Sequence, residues 1–324
     1  MSSLSNMPYF KSLKYWNKRL RNKKYKFNFL ITKFLEITAY SVSTGGVVLK
    51  EEYNEFPPCI GNRLPADPKL QIVVPVYIRT NKDINDLNKI LVSISRQSVK
   101  PQRVFIIDDC SPVSFKTPED IVYHRNIRNI GPAASRNVGI GLSLEANADI
   151  IAFTDNDCVL DENWVNNILN EFKNNKKNQI LSGRTKSLDP HWFGRYHEIN
   201  GTLNGRRIKN TRELLYGTTA NLAITKHVAE TIKFNQNYPI AACEDIDYCL
   251  RCNMRGYRIK HLPDMIVYHN YGYSSGYFDS LRRFIGMFRK YKKGEKILLK
   301  EFPGYYGYFA KTQEIQSIDI NKAE

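Results

Sequence analysis

The sequence predicts an α/β protein with a mostly parallel sheet and helices on both of its faces. Three observations carry this. From Gln71 onward, short apolar runs alternate with stretches whose apolar residues recur at helical spacing. The runs are rich in β-branched residues and flanked by polar ones, as expected of strands buried on both faces. One run, Ile150-Ile151-Ala152-Phe153, continues into Thr154-Asp155-Asn156-Asp157 and so ends in two carboxylates one residue apart. In open α/β sheets, ligands bind in the crevice beyond the carboxyl ends of the strands.

Taken in order, Gln71–Tyr77 (QIVVPVY) reads as a buried strand, and Ile84–Ile94 has helical spacing through Leu87, Ile90 and Leu91. Arg103–Asp109 (RVFIIDD) is a second strand and Ile121–His124 a third. Ala133–Leu144 is a helix after Gly131-Pro132, with proline near its start as is usual. A strand at Asp149–Thr154, a helix at Asn163–Phe172 and a strand at Gln179–Ser182 complete the βαβ alternation. After Ser187 the pattern loosens. Asp189–Glu213 is polar, aromatic and glycine-containing, too long for a simple connection, and is a candidate substrate loop. Within it, Trp192, Phe193 and Tyr196 offer flat apolar faces of the kind that a substrate platform uses. Order returns at Ala220–Ile224, a helical stretch Asp245–Arg255 and a strand Met265–Tyr268. Before Asp67 lie a basic arm, a short strand pattern at Gly46–Leu49, and a turn-rich connector with Pro57, Pro58, Pro65 and Pro68.

A chain of 324 residues, 42% hydrophobic and 25% charged, has room for one large α/β domain plus extensions. The formal net charge of +16 is unusual, and it is concentrated at the ends. Nine basic residues from Lys11 to Lys33 precede the first acid, Glu36, and a second cluster runs from Arg282 to Lys300. Aromatic residues interleave with the first cluster, which suits an anionic membrane surface or nucleic acid, or else a solvated arm. Leu281, Phe284, Ile285 and Phe288 give the second cluster an amphipathic pattern that suits either a membrane or packing on the core. No apolar run reaches the length of a membrane span, and the N-terminus lacks the apolar core of a secretory signal. The expected location is therefore the cytoplasm, with peripheral attachment to the inner face of the membrane as the variant that the basic ends suit. The six cysteines are scattered, and Cys249-Leu250-Arg251-Cys252 lacks the second half of a zinc site, so reduced structural thiols are expected.

Asp155 and Asp157 admit two readings by themselves. Carboxylates at a strand end suit a hard cation such as Mn²⁺ or Mg²⁺ that holds substrate phosphates. Asp157, Asp161 and Glu162 also precede the helical pattern from Trp164 and would favour its dipole. The neighbouring motifs decide between them. VVPVY at Val73–Tyr77, IIDDCS at Ile106–Ser111, NIGPAASRNVGI at Asn129–Ile140, FTDND at Phe153–Asp157, TTANLAI at Thr218–Ile224 and CEDIDYCLRCNMRGY at Cys243–Tyr257 stand in one order. Together they resemble the inverting family 2 glycosyltransferases of the GT-A fold, over roughly Gln71 to Asn270.

The resemblance implies a Rossmann-like GT-A domain at 69–273, with a nucleotide-binding half at 69–157 and an acceptor half at 158–273. Residues 1–68 form a basic extension and connector, and 274–324 a basic helical segment and tail. It implies a nucleoside diphosphate sugar donor (UDP favoured), a hydroxyl acceptor in surface polysaccharide or other glycoconjugate synthesis, and Mn²⁺ or Mg²⁺. On the donor side, Tyr77 would stack on the base, with Pro75 in the same motif. Asp109 would bond the base or ribose, Asp108 would support that loop, and Arg136 would face the diphosphate or base. Asn137 and Gly139 would let their helix pack closely. Asp155 and Asn156 would border the ribose, Asp157 would hold the metal with Asp155, and His269 would be a further metal ligand. Asp245 would be the general base, beside Glu244 and Trp192 on the acceptor side. One departure stands out: Ile78-Arg79 follows Tyr77 where the family often has Asn, so Arg79 is a candidate phosphate contact.

Other classes fit less well. A sugar-nucleotide nucleotidyltransferase usually has a basic, Gly-rich loop after the first strand, and none follows Tyr77. A nucleic-acid binder would carry its charge through the central fold. A dinucleotide-binding oxidoreductase would show G-x-G-x-x-G after that strand.

Overall fold

The computed structural model describes residues 17, 23–40, 55–273 and 276–316. Helix α1 (Lys23–Tyr40) comes first. The alternation follows as β1 (Leu70–Val76), α2 (Asn81–Ser95), β2 (Arg103–Asp108), β3 (Val122–Arg125), α3 (Pro132–Glu145) and β4 (Ile150–Phe153). Next are β5 (Cys158–Leu160), α4 (Trp164–Asn174), β6 (Ile180–Ser187), α5 (Trp192–Asn200), β7 (Arg206–Ile208), β8 (Glu213–Tyr216) and β9 (Leu222–Thr225). The remainder is α6 (Lys226–Thr231), α7 (Glu244–Met254), β10 (Ile259–His269), α8 (Tyr277–Glu301) and β11 (Thr312–Glu314).

These strands form one sheet in the order β11-β7-β8-β10-β6-β9-β4-β1-β2-β3, with β5 attached to β10. Strands β4, β1, β2 and β3 are mutually parallel, the block that the βαβ alternation predicts. Beyond β4 the sheet is mixed: β9 runs antiparallel to both β4 and β6, while β6 and β10 are parallel. Side chains alternate across β1, and both faces are covered. Ile72, Val74 and Val76 pack with Leu87 and Ile90 of α2 and Trp164 and Ile168 of α4. Val73 faces the opposite core, with Ile107, Phe153, Ala133 and Ile140 of α3. That double burial is why β1 is apolar at nearly every position. A capping box starts α2: the Thr80 hydroxyl accepts from the Asp83 amide, and the Asp83 carboxylate accepts from the Thr80 amide. Gly139 brings α3 close to the sheet, as expected, since a Cβ there would lie 2.3 Å from Val73 Cγ1.

The expected loop at Asp189–Glu213 is instead α5 and β7. Phe193, Tyr196 and Ile199 recur at near-helical spacing and are buried, so the segment is a helix packed by its rings. Phe193 stacks on Phe284 of α8 at 4.6 Å between centroids, and Tyr196 lies 4.9 Å from Phe29 of α1. Phe193 and Tyr196 therefore form no open acceptor platform. Half-buried Trp192 donates its indole N–H to Thr32 of α1 at 2.8 Å, so it too belongs to this packing.

The flanking segments are packed onto the 69–273 region rather than set apart. Phe284 and Phe288 turn the apolar face of α8 inward, onto α5 and α1, which is the core-packing alternative for that helix. β11 pairs with β7 and extends the sheet. Lys33 and Glu36 of α1 form a buried ion pair at 2.7 Å; Lys33 also donates to Asn200 at 3.0 Å, and Glu36 accepts from the Tyr196 hydroxyl. The strand expected at Gly46–Leu49, together with Lys11, Lys14, Tyr15, Trp16, Lys18, Arg19 and Arg21 of the basic arm, lies outside the described residues. Among the described residues, no helix is long and apolar enough to cross a membrane, although α1 leaves Phe27, Ile31 and Phe34 exposed.

Gly139→Ala is expected to destabilise the protein by about 1–3 kcal/mol, the usual cost of forcing a methyl into a packed core. Urea denaturation should show a lower midpoint at unchanged slope. An unchanged midpoint would mean that α3 moves away from Val73 freely.

Candidate active site

The strand ends and two helix starts converge on one cleft. β4 ends at Phe153 and delivers Asp155, Asn156 and Asp157, all half-buried, past its carboxyl end. The start of α7 delivers Glu244 and Asp245. Between them stands Arg136 from the first turns of α3, only 2% exposed. One nitrogen of its guanidinium donates to Asp155 at 2.9 Å and another to Glu244 at 2.8 Å. Burial opposes the charge, but the two carboxylates more than offset this and raise the pKa of Arg136. Arg136 was expected to face the donor directly. In the structure each of its two terminal nitrogens is bonded to an acid, while Nε has no partner among the described residues, so it is a buried strut that joins the two halves of the site.

Asp245, half-buried beside this strut, has its carboxyl pushed up to about 7. Burial is the main cause; the neighbouring Glu244 charge adds to the rise, while Arg136 and the Ile246 amide work against it. The Ile246 amide donates to Asp245 at 2.8 Å. In the same helix Asp247 accepts from Arg251 at 2.6 Å, and Gly256, with φ +82°, follows the last turn. Cys243, immediately before Glu244, adopts φ 66°, a left-handed conformation costly for a residue with a Cβ. Cys110, immediately after Asp109, does the same at φ 59°. Both acid pairs are thus held beside strained backbone.

His269 ends β10 and faces Asp157, with Nε2 3.3 Å from Asp157 Oδ1. Burial pushes the Asp157 carboxyl up, and the Asp155 charge adds to this, while His269 pulls it down. The buried Nδ1 of His269 has no hydrogen-bond partner among the described residues. Asp157, His269 and the Cys158 thiol offer three donor atoms within 4.8 Å of one another. A carboxylate and an imidazole fit Mn²⁺ or Mg²⁺, with the remaining positions left to phosphate oxygens and water. Burial and the nearby Asp157 charge keep the Cys158 thiol protonated, so it does not suit a hard cation. Two of the three residues expected to hold a metal, Asp157 and His269, are therefore together and chemically suitable, whereas Asp155 is outside this group of donors and bonded to Arg136.

Two acids near this point escaped the sequence reading. Asp86 of α2 accepts from Asn270 through both oxygens at 2.9 Å, and Asp189 accepts from the Tyr271 amide at 2.7 Å. They hold the two residues that follow His269. The available signal was Asp86 itself, an acid on the buried face of a helix beside Leu87 and Ile90.

The donor-side residues divide into free and engaged. Tyr77, just beyond β1, is 42% exposed, Arg79 is exposed, and Pro75 within the strand is half-buried. Asp108 is fully buried and accepts from the Ser111 amide at 2.8 Å, from the Tyr123 hydroxyl at 2.6 Å and from Arg125. Burial raises its pKa, but these hydrogen bonds outweigh it and leave the carboxyl lowered. Asp108 is a loop anchor, which removes it from the donor contacts. Asp109 accepts from Asn126 at 3.0 Å, Ile130 N at 2.8 Å and Gly131 N at 2.9 Å, fixing the loop that leads into α3.

Residues 71–236, just over half of the chain, match Glycosyl transferase family 2. The chain belongs to that family. Among curated proteins it is 22% identical over 220 residues to the pre-mycofactocin glycosyltransferase of Mycobacterium tuberculosis, covering 64% of this chain and 44% of that one. The chain thus spans less than half the length of that relative. Among solved structures, S. aureus TarS 1–349 in complex with UDP-GlcNAc superposes with a TM-score of 0.52 at 17% identity, over 75% of this chain and 73% of that one. TarS 1–349 in complex with UDP gives a TM-score of 0.50 at 17% identity, over 76% and 75% of the two chains. At this identity the likeness is one of fold, the GT-A architecture.

Arg136→Met should lower stability by about 3–5 kcal/mol, because it strands the buried Glu244 carboxylate. Thermal unfolding checks this: a melting temperature equal to that of the unaltered protein would mean that Glu244 finds another partner.

Proposed function

We propose that the protein is an inverting, metal-dependent glycosyltransferase that moves a sugar from a nucleoside diphosphate donor to a hydroxyl acceptor. UDP is the favoured nucleotide, the one bound in the TarS structures that share the fold. One observation supports this reading most: a carboxylate with a pKa near neutrality, Asp245, stands at a rigid helix start tied through Glu244 and Arg136 to the strand-end Asp155. A base and a donor motif held in one frame suit a single displacement at a carbon between them.

In this reading Tyr77 presents its exposed ring to the base, and Asp109 keeps a lone pair for it while holding the loop. Arg79 contacts the phosphates, and Asp155 and Asn156 border the ribose. Asp157 and His269 would hold Mn²⁺ or Mg²⁺, which would supply positive charge to offset that of the leaving diphosphate. The acceptor hydroxyl gives its proton to Asp245 while its oxygen attacks the anomeric carbon from the face opposite the diphosphate. The bond to the diphosphate oxygen breaks as the new bond forms, which inverts the configuration. Asp245 then returns the proton to water.

Asp245→Asn is expected to preserve binding of the donor, seen by isothermal titration, and to cut turnover by about 10²–10⁴-fold. The base must be ionised to work, and its pKa is about 7. Turnover in the unaltered protein should therefore fall tenfold per pH unit below that value and level off above it. A rate independent of pH between 5 and 8 would remove Asp245 from the role.

Asp157→Ala and His269→Ala should each weaken Mn²⁺ binding in the presence of UDP, measured by the paramagnetic relaxation of water. Undiminished Mn²⁺ affinity in both variants would place the cation elsewhere.

A further inference from the structure

A second cluster of charge lies away from this cleft, where β10 leaves β6. His261 pairs with Ser182 and Ile266 pairs with Arg184, so β10 spends four residues, Leu262 to Met265, where β6 spends Gly183 alone. Gly183 is required there: a Cβ would lie 2.0 Å from the Met265 carbonyl oxygen. The resulting bulge opens a cavity of about 310 Å³, lined by Arg184 from β6, Arg207 from β7, His261 and Pro263 from β10, and Gln313 to Gln316 around β11. Along β6, five residue steps separate Ser182, beside His261, from Ser187, beside His269. At the usual rise per residue that is roughly 17 Å, so the cavity is distinct from the Asp157 site.

The charge at this cavity is unbalanced. Among the described residues, Arg184, Arg207 and the adjacent Arg212 make no ion pair. The only carboxylate on the wall, Glu314, is bonded to Arg206 at 2.9 Å. Arg207 Nε and His261 Nε2 are buried without a hydrogen-bond partner. Burial, and after it the charges of the three arginines, push His261 down to about 4. Buried donors and uncompensated arginines are costly unless an anion completes them.

We propose that this cavity is a binding site for a phosphate group, separate from the nucleotide-sugar site. Donors converge on it from three strands, an arrangement suited to a tetrahedral group with several oxygens; a planar carboxylate is satisfied by a single arginine fork. The volume admits the phosphate with a few attached carbons, so both inorganic phosphate and a phosphate ester carried by an acceptor or effector fit.

The test is calorimetric titration of the full chain with inorganic phosphate and with phenyl phosphate. Saturating UDP is present throughout, which closes the donor site to the probes. One site of millimolar or tighter affinity is expected. It should weaken at least tenfold in Arg207→Gln and in Arg184→Gln, two variants on different strands, so that a folding defect in one leaves the other informative. Unchanged UDP affinity certifies the fold in each. Tighter binding of the ester supports a phosphorylated ligand, and tighter binding of the free ion supports phosphate itself. No binding to the unaltered chain overturns the proposal, as does equal affinity in both variants. Binding that emerges only in a chain ending at Gln316 also overturns it, because the pocket would then be the seat of residues 317–324.

Discussion

Arg136 carries a charge in a place where water does not reach it, and that constraint organises the rest of the site. A buried guanidinium must be met by carboxylates with good geometry, and here the two that meet it come from opposite halves of the fold. Asp155 arrives on the parallel block, beyond β4, and Glu244 on α7, which packs against β8 and the antiparallel part of the sheet. Satisfying one charge therefore fixes the distance between the strand-end acids and the start of α7. The same arrangement sets the acidity of Asp245. Burial comes first in raising the proton affinity of Asp245, and the carboxylate of its neighbour Glu244 adds to it. A structural ion pair thus bears on the acidity of a carboxyl one residue away.

The parallel half was legible in the sequence because its physics is local and periodic. β1, β2 and β4 are short apolar runs with polar ends, and α2, α3 and α4 carry apolar residues at helical spacing. The acids at Asp155, Asp157, Glu244 and Asp245 were found because they stand at element ends, and His269 because it follows a strand. The partners of Arg136 and of Asp108 were not legible, since those contacts join residues with no periodic relation. Asp108 was expected to support its loop, but not that the hydroxyl of Tyr123 and the guanidinium of Arg125 reach it from β3. α5 was hidden for another reason. Its rings serve a core formed with α1 and α8, so aromatic residues that resembled a binding surface were packing instead. The antiparallel setting of β9 likewise depends on which strands it separates, a fact of topology that no window of sequence contains.

Strained backbone marks the same places. Cys110 and Cys243 occupy the left-handed region beside Asp109 and Glu244, and neither is a glycine. Conformations of this kind cost free energy and persist where the surroundings over-determine them. Around Cys110 the surroundings are the bonds that Asp108 and Asp109 make to two loops. Around Cys243 they are the Arg136 bridge on one side and the packing of Leu298 and Tyr305 on the other. The rigidity of the candidate catalytic carboxylates is thus bought by bonds made elsewhere.

The seating of α1 on α8 has a consequence for biosynthesis. Phe29 and Ile37 are buried in the finished protein, and Phe29 finds its cover among residues of α5 and α8. α1 leaves the ribosome before α5 and α8 do. More than two hundred residues separate α1 from α8, which at ordinary synthesis rates is on the order of 10–50 s. During that interval the apolar stripe of α1 is displayed on the nascent chain, with Lys33 lacking Asn200 and Glu36 lacking Tyr196. This helix therefore needs a chaperone or a surface to cover it while translation continues.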